Sequence, residues 1–149
     1  MAAGRFNFTI EQGTTVDFEI QYQDNSGDPI DLAQHQARMM VRPSKDSETI
    51  LLTLSSSINP NDGTGLNMKG GGGLSANKPT TSGSIGVFIG HTTSSALNFD
   101  TYNKAAVYDL EIASGSGAQA RVTRLLEGVI TISNEVTKGS SNTNMNIQY

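Results

Sequence analysis

The 149-residue chain has no cysteine and no tryptophan. Without cysteine there is no disulfide, no thiolate nucleophile and no cysteine-ligated zinc site, and the redox compartment leaves no trace. Lys and Arg total 10 against 14 Asp and Glu, for a net charge of −4. No three basic residues fall together, so the basic footprint of a nucleic-acid partner is missing. No apolar run approaches the roughly 18 residues of a membrane span. The opening MAAGRFNFTIE has no apolar h-region of the signal-peptide kind. These absences predict a soluble chain made in the cytoplasm, with no nucleic-acid and no membrane partner.

What is there is β-forming sequence. Hydrophobic residues make up 36%, Gly numbers 16, and Ser and Thr are abundant. The length fits one domain. Residues 105–137 organise it. Tyr108, Leu110 and Ile112 alternate with Asp109 and Glu111, the period of a half-buried strand. Ser114-Gly115-Ser116-Gly117 predicts a tight turn. The return strand carries Val122, Leu125, Leu126, Val129, Ile130 and Ile132.

Upstream, Phe6, Phe8 and Ile10 predict a first strand, then a turn at Gln12-Gly13. Val16, Phe18, Ile20 and Tyr22 alternate with Asp17, Glu19 and Gln21 in a second strand. The run Asp24-Asn25-Ser26-Gly27-Asp28-Pro29 is a turn, and Ile30-Asp31-Leu32 returns to the core. His35 to Arg42 is a third strand, with Ala37, Met39 and Val41 on one face and Arg38, Met40 and Arg42 on the other. Pro43 ends it. Ile50, Leu52 and Leu54 predict a fourth strand, Leu66 and Met68 a short one, and Ile85, Val87 and Ile89 another. Thr92 to Phe99 predicts one helical turn capped by Thr92 or Thr93.

About eight strands at this spacing predict an all-β fold, a two-sheet antiparallel β-sandwich of immunoglobulin-like type. A small β-barrel is the alternative. The sandwich domain spans 1–137. Residues 69–83 form a Gly-rich loop insertion, and 138–149 an extended C-terminal tail whose Met145, Ile147 and Tyr149 still alternate. Loops of that length in compact domains carry function or are disordered. Gly71, Gly72, Leu74 and Lys78 in the loop, with Met145, Ile147 and Tyr149 in the tail, are the candidate partner contacts. An alternating tail can add as a strand to a neighbour's sheet edge.

No residue set points to catalysis, and the expectation is a non-enzyme with no cofactor. His35 and His91 read as surface residues, without a second ligand at metal spacing. Asp24, Asp28 and Asp31 crowd oxygen atoms onto one turn and are the calcium candidates, though the closing glutamate of the standard calcium loop is missing. The alternative is a turn whose Asp side chains cap backbone N–H groups. Gly70 to Gly73 lacks the Lys-Ser/Thr and helix of a phosphate loop. Arg38, Arg42, Arg121 and Arg124 lie on polar strand faces and predict cross-strand pairs with Asp17, Glu19, Asp109 or Glu111. Arginine also favours interfaces.

The ordered set FTIEQGTTVDFEIQYQDNSGDPIDL, ARMMVRPSKDSETILLTL, YDLEI and RVTRLLEGVITISNEVT resembles the small immunoglobulin-like virion proteins of tailed phages. It is similar to the N-terminal domain of phage baseplate upper proteins. The resemblance covers most of residues 6–137, best at Arg38–Pro43, Tyr108–Glu111 and Arg124–Gly128. It implies a bacteriophage structural protein of the tail or baseplate. Such a protein docks onto other virion proteins, possibly copies of itself, and catalyses nothing. The alternatives are a head or collar decoration protein, or a carbohydrate-binding or adhesive β-sandwich. A carbohydrate site normally presents an aromatic platform, for which Tyr102 and Tyr149 are the candidates.

Overall fold

The computed structural model describes residues 3–71, 78–97, 105–115 and 117–134. The candidate contacts Gly72, Leu74, Met145, Ile147 and Tyr149, and the candidate platform residue Tyr102, lie outside these residues. The described chain is mostly β, in two sheets. The large sheet contains β1 (Gly4–Arg5), β2 (Phe8–Glu11), β4 (His35–Arg42), β5 (Leu52–Ser55), β8 (Ala105–Ser114) and β9 (Arg121–Ser133). Its order is β1-β9-β8-β4-β5, with β2 also on β9. The small sheet contains β3 (Val16–Gln21), β6 (Gly65–Asn67) and β7 (Ser84–Ile89), in the order β3-β7-β6. One helical turn, α1 (His91–Ser95), follows β7. Among the described residues no helix is long and apolar enough to cross a membrane.

One core joins the sheets. Met39, Val41, Leu54, Leu110, Ile112, Ile130 and Ile132 from the large sheet pack in the same cluster as Leu66, Ile85, Val87 and Ile89 from the small one. The period-two pattern produces this. On β4 the residues Ala37, Met39 and Val41 are buried, while Arg38 is exposed and Met40 and Arg42 are half-buried. Tyr22 and Met68 fall just outside their strands, and Ile50 stands 46% exposed ahead of β5.

Three features depart from the sequence reading. The first is that the large sheet is not wholly antiparallel. β1 and β2 run parallel to β9 in one register, Gly4 opposite Leu126 and Phe8 opposite Ile130. The two segments are separated at Phe6-Asn7, where the backbone passes over Gly128. A parallel partner needs a long connection, and here most of the domain supplies it.

Second, the β8–β9 connection is longer than a tight turn at 114–117. β8 ends at Ser114, a 3-10 turn occupies Gly117–Gln119, and β9 begins at Arg121. The hairpin also carries a bulge: Leu110 faces Leu126 but Glu111 faces Arg124, so Leu125 is the extra residue. A bulge reverses which face successive residues point to. Val122 therefore falls on the outer face, 56% exposed.

Third, α1 is capped by Gly90 rather than Thr92 or Thr93. The Gly90 N–H donates to Thr64 Oγ1 at 2.9 Å. The Thr92 and Thr93 hydroxyls instead donate to Asp62 Oδ2, at 3.0 and 2.5 Å.

Candidate functional site

The outer face of the large sheet forms a groove of about 430 Å³. The strand register arranges its side chains in rows. Arg38, Glu111 and Arg124 face one another across β4, β8 and β9. Met40, Asp109, Glu127 and Arg5 form the next row. Arg42, Val107 and Val129 form the third, and Lys45 lines the groove beyond β4. Five of the chain's 10 Lys and Arg line this groove, against three carboxylates.

The bulge at Leu125 builds part of this pattern. Residues three apart on a regular strand point to opposite faces. Here Arg124 and Glu127 share a face and pair at 3.6 Å. Arg124 Nε also meets Asp109 Oδ2 at 3.3 Å. It thus lies between two carboxylates that stand opposite each other in the register, where like charges repel. Arg38 Nη2 pairs with Glu111 Oε1 at 2.9 Å.

The cross-strand pairing predicted for Arg38 and Arg124 is therefore present. That predicted for Arg42 is not: its guanidinium donates to the Ser47 carbonyl at 2.7 Å, in the turn after Pro43. Arg121 begins β9 opposite Ser114 and makes no ion pair among the described residues. Arg5 and Lys45 carry no signal in the sequence that would single them out. Both are exposed, and neither makes an ion pair among the described residues. Only the parallel register, Arg5 opposite Glu127, brings Arg5 to the groove. A second groove of about 470 Å³, lined by Gln36, Ser55, Ser57 and Val122, shares Arg38 and Glu111 with the first.

The Gly-rich loop does not stand away from the domain at its described ends. Lys78 N–H donates to the Lys69 carbonyl at 2.9 Å and closes its base. Gly71 N–H donates to Glu19 Oε2 at 3.1 Å, and Lys78 Nζ pairs with Glu19 Oε1. The two partner-contact candidates among the described residues, Gly71 and Lys78, thus hold the loop to β3. Glu19 pairs with Lys78 and not with an arginine. The Lys78 hydrogen bond, then that of Gly71, pulls the Glu19 carboxyl below its ordinary range.

The calcium candidates do not converge. Asp24 Oδ1 accepts from Ser26 and Asp28 N–H at 2.9 and 3.0 Å, and Asp31 Oδ1 accepts from Ala33 N–H at 3.0 Å. This is turn capping. Among the described residues no three His, Cys, Asp or Glu side chains are grouped to hold a metal. His35 is not a surface residue in full: it is half-buried, and its Nδ1 is shut from solvent without a partner among the described residues.

Asp62 joins the β5–β6 connection to α1. Partial burial pushes its carboxyl up, but hydrogen bonds from Thr93, Thr64 and Thr92 outweigh this and bring it down to about 2. The set is structural: it ties one connection to the next and lines neither groove.

Neither the protein-family models nor the curated proteins compared with this chain match it.

Proposed function

We propose that this chain is an immunoglobulin-like structural component of a tailed-phage virion, in the tail or baseplate. It is made in the host cytoplasm and works in the particle by protein–protein assembly. The observation that carries the reading is the groove on the outer face of the large sheet. A rigid sheet presents rows of charged side chains, with Arg5 and Lys45 as two cations at their margins that make no ion pair among the described residues. Such an arrangement suits recognition of a complementary surface, since interfacial charge sets register and partner choice. The ordered sequence resemblance supplies the particle. The resemblance and the groove are independent of each other.

The test is mass spectrometry of purified particles separated into head and tail fractions. Stoichiometric recovery in the tail fraction supports the reading. Recovery with heads moves the protein to a head or collar decoration role. Absence from both fractions overturns the virion reading.

A further inference from the structure

The charges of this chain are unevenly divided along its length. Residues 6–37 hold six of the 14 carboxylates and none of the 10 Lys and Arg. Folding places most of that segment away from the groove. Val16, Phe18 and Ile20 pack on the core, so Asp17 and Glu19 point out from the small sheet. Asp24, Asp28 and Asp31 are exposed in the connection that follows. Lys78 pairs with Glu19, but Asp17, Asp24, Asp28 and Asp31 make no ion pair among the described residues. Residues 17–31 thus present an acidic side that lines neither groove, while the first groove carries five cations against three carboxylates.

We propose that the groove receives the acidic side of a second copy of this chain, so that copies stack back to front. This rests on the reading of the groove as an assembly surface and names its occupant. Arg38 and Arg42 stand four residues apart on β4, roughly 13 Å, with uncharged Met40 between them, and Arg5 and Lys45 stand at the margins of the groove. In this contact Asp17 and Asp28 of one copy, which make no ion pair among the described residues, meet Arg5 and Lys45 of the next. The contact is heterologous, with different surfaces on its two sides. Repetition closes into a ring or extends as a filament. Association through charge of this kind weakens with salt.

The test is sedimentation of the purified chain at about 20 mM and about 500 mM salt, where the screening length falls from roughly 20 Å to about 4 Å. The low-salt mass should rise about twofold or more above the 15.8 kDa monomer and return to it at high salt. Two double variants probe the surfaces without touching a side-chain bond of the fold. Asp17→Lys with Asp28→Lys reverses the acidic side, and Arg5→Glu with Lys45→Glu reverses the groove margin. Each alone should be monomeric at low salt. Mixed in equal amounts they should associate again, because the intact acidic side of one variant meets the intact groove of the other, and the two reversed surfaces also complement each other. A wild-type chain monomeric at both salts overturns the proposal and leaves the virion reading to its own test. Association unchanged by salt or by the variants also overturns it.

Discussion

In each sheet a carbonyl from a second stretch of backbone lies directly over a glycine, at Gly128 and at Gly86, and the two are held in opposite ways. In the large sheet the Phe6 carbonyl crosses Gly128, so close that a Cβ there would overlap the oxygen. The carbonyl accepts from Tyr108 Oη at 2.5 Å, the Phe6 N–H donates to the Glu127 carbonyl at 3.0 Å, and Asn7 Oδ1 accepts from Val129 N–H at 2.9 Å. Phe6 and Phe8 stack beside it and reach Phe18 of the small sheet, with centroids 5.4 and 5.1 Å away. In the small sheet the Gly71 carbonyl crosses Gly86, where a Cβ would again overlap the oxygen. Its fastening is the charged and solvated pair of Glu19 and Lys78. Close backbone approach is the same in both cases. The first is secured by uncharged hydrogen bonds and aromatic contacts that are partly buried, the second by a surface ion pair, and the two should fail under different conditions.

The largest effect should come from Gly128→Val. The added side chain cannot coexist with the Phe6 carbonyl, so β1 must leave β9 or the hairpin must shift. Overpacking against backbone costs about 3 kcal/mol or more. Urea unfolding should show that loss, with Phe6 and Asn7 amides losing hydrogen-exchange protection. Gly86→Ala sharpens the contrast. The loop base can lift away without opening the core, so the expected loss is about 1–2 kcal/mol. Protection should fall at Gly71 and Lys78 and persist at Leu110. Equal losses at both glycines would erase the distinction between the two fastenings.

The same contrast explains what is legible in the sequence. β3, β4 and β8 follow strict period two, so the alternation alone assigns their inward and outward residues. The core hairpin is legible for that reason. β9 is less so, because Leu125 reverses the phase and places Val122 outside and Arg124 beside Glu127. The parallel register of Gly4–Glu11 on β9 joins residues over a hundred positions apart, and nothing local encodes it. The docking of Gly71 on Gly86 leaves no side-chain pattern to read. In the candidate groove, the Arg38–Glu111 and Arg124–Asp109 pairs follow from opposite charges on adjacent strands. Arg5 and Lys45 do not, since the first needs the parallel register and the second the path of the chain beyond Pro43.

Tyr108→Phe isolates the polar part of the first fastening. Burial pushes the Tyr108 hydroxyl up to about 12 from its ordinary 10.0. Below pH 10 it is protonated in both folded and unfolded chains and the bond to Phe6 stands. Between pH 10 and 12 the unfolded chain releases the proton and the folded chain keeps it. Stability should therefore fall through this window, by roughly 2 kcal/mol at most. The Phe variant should lose about 1 kcal/mol at neutral pH, from one unpaired carbonyl. Its stability should then decline less than wild type between pH 10 and 12, which a pH series of thermal melts would show.

Glu19→Gln should have the smallest effect and the opposite pH signature. Gln keeps an acceptor for the Gly71 N–H but loses the charge that faces Lys78. Both partners are partly solvated, with 46% of Lys78 and 35% of Glu19 side-chain surface exposed, so the loss should stay within about 1 kcal/mol and shrink with added salt. In the wild type the Glu19 carboxyl lies below its ordinary 4.5, chiefly through Lys78. Its contribution is complete above pH 4.5 and is lost as pH falls through the lowered folded value. Hydrogen exchange at Gly71 should speed up on acidification in the wild type. In the Gln variant it should already be fast at neutral pH and show no acid-dependent loosening from this group. If exchange at Gly71 instead tracked the alkaline window of Tyr108, the two fastenings would be one cooperative unit and the contrast between the sheets would fall.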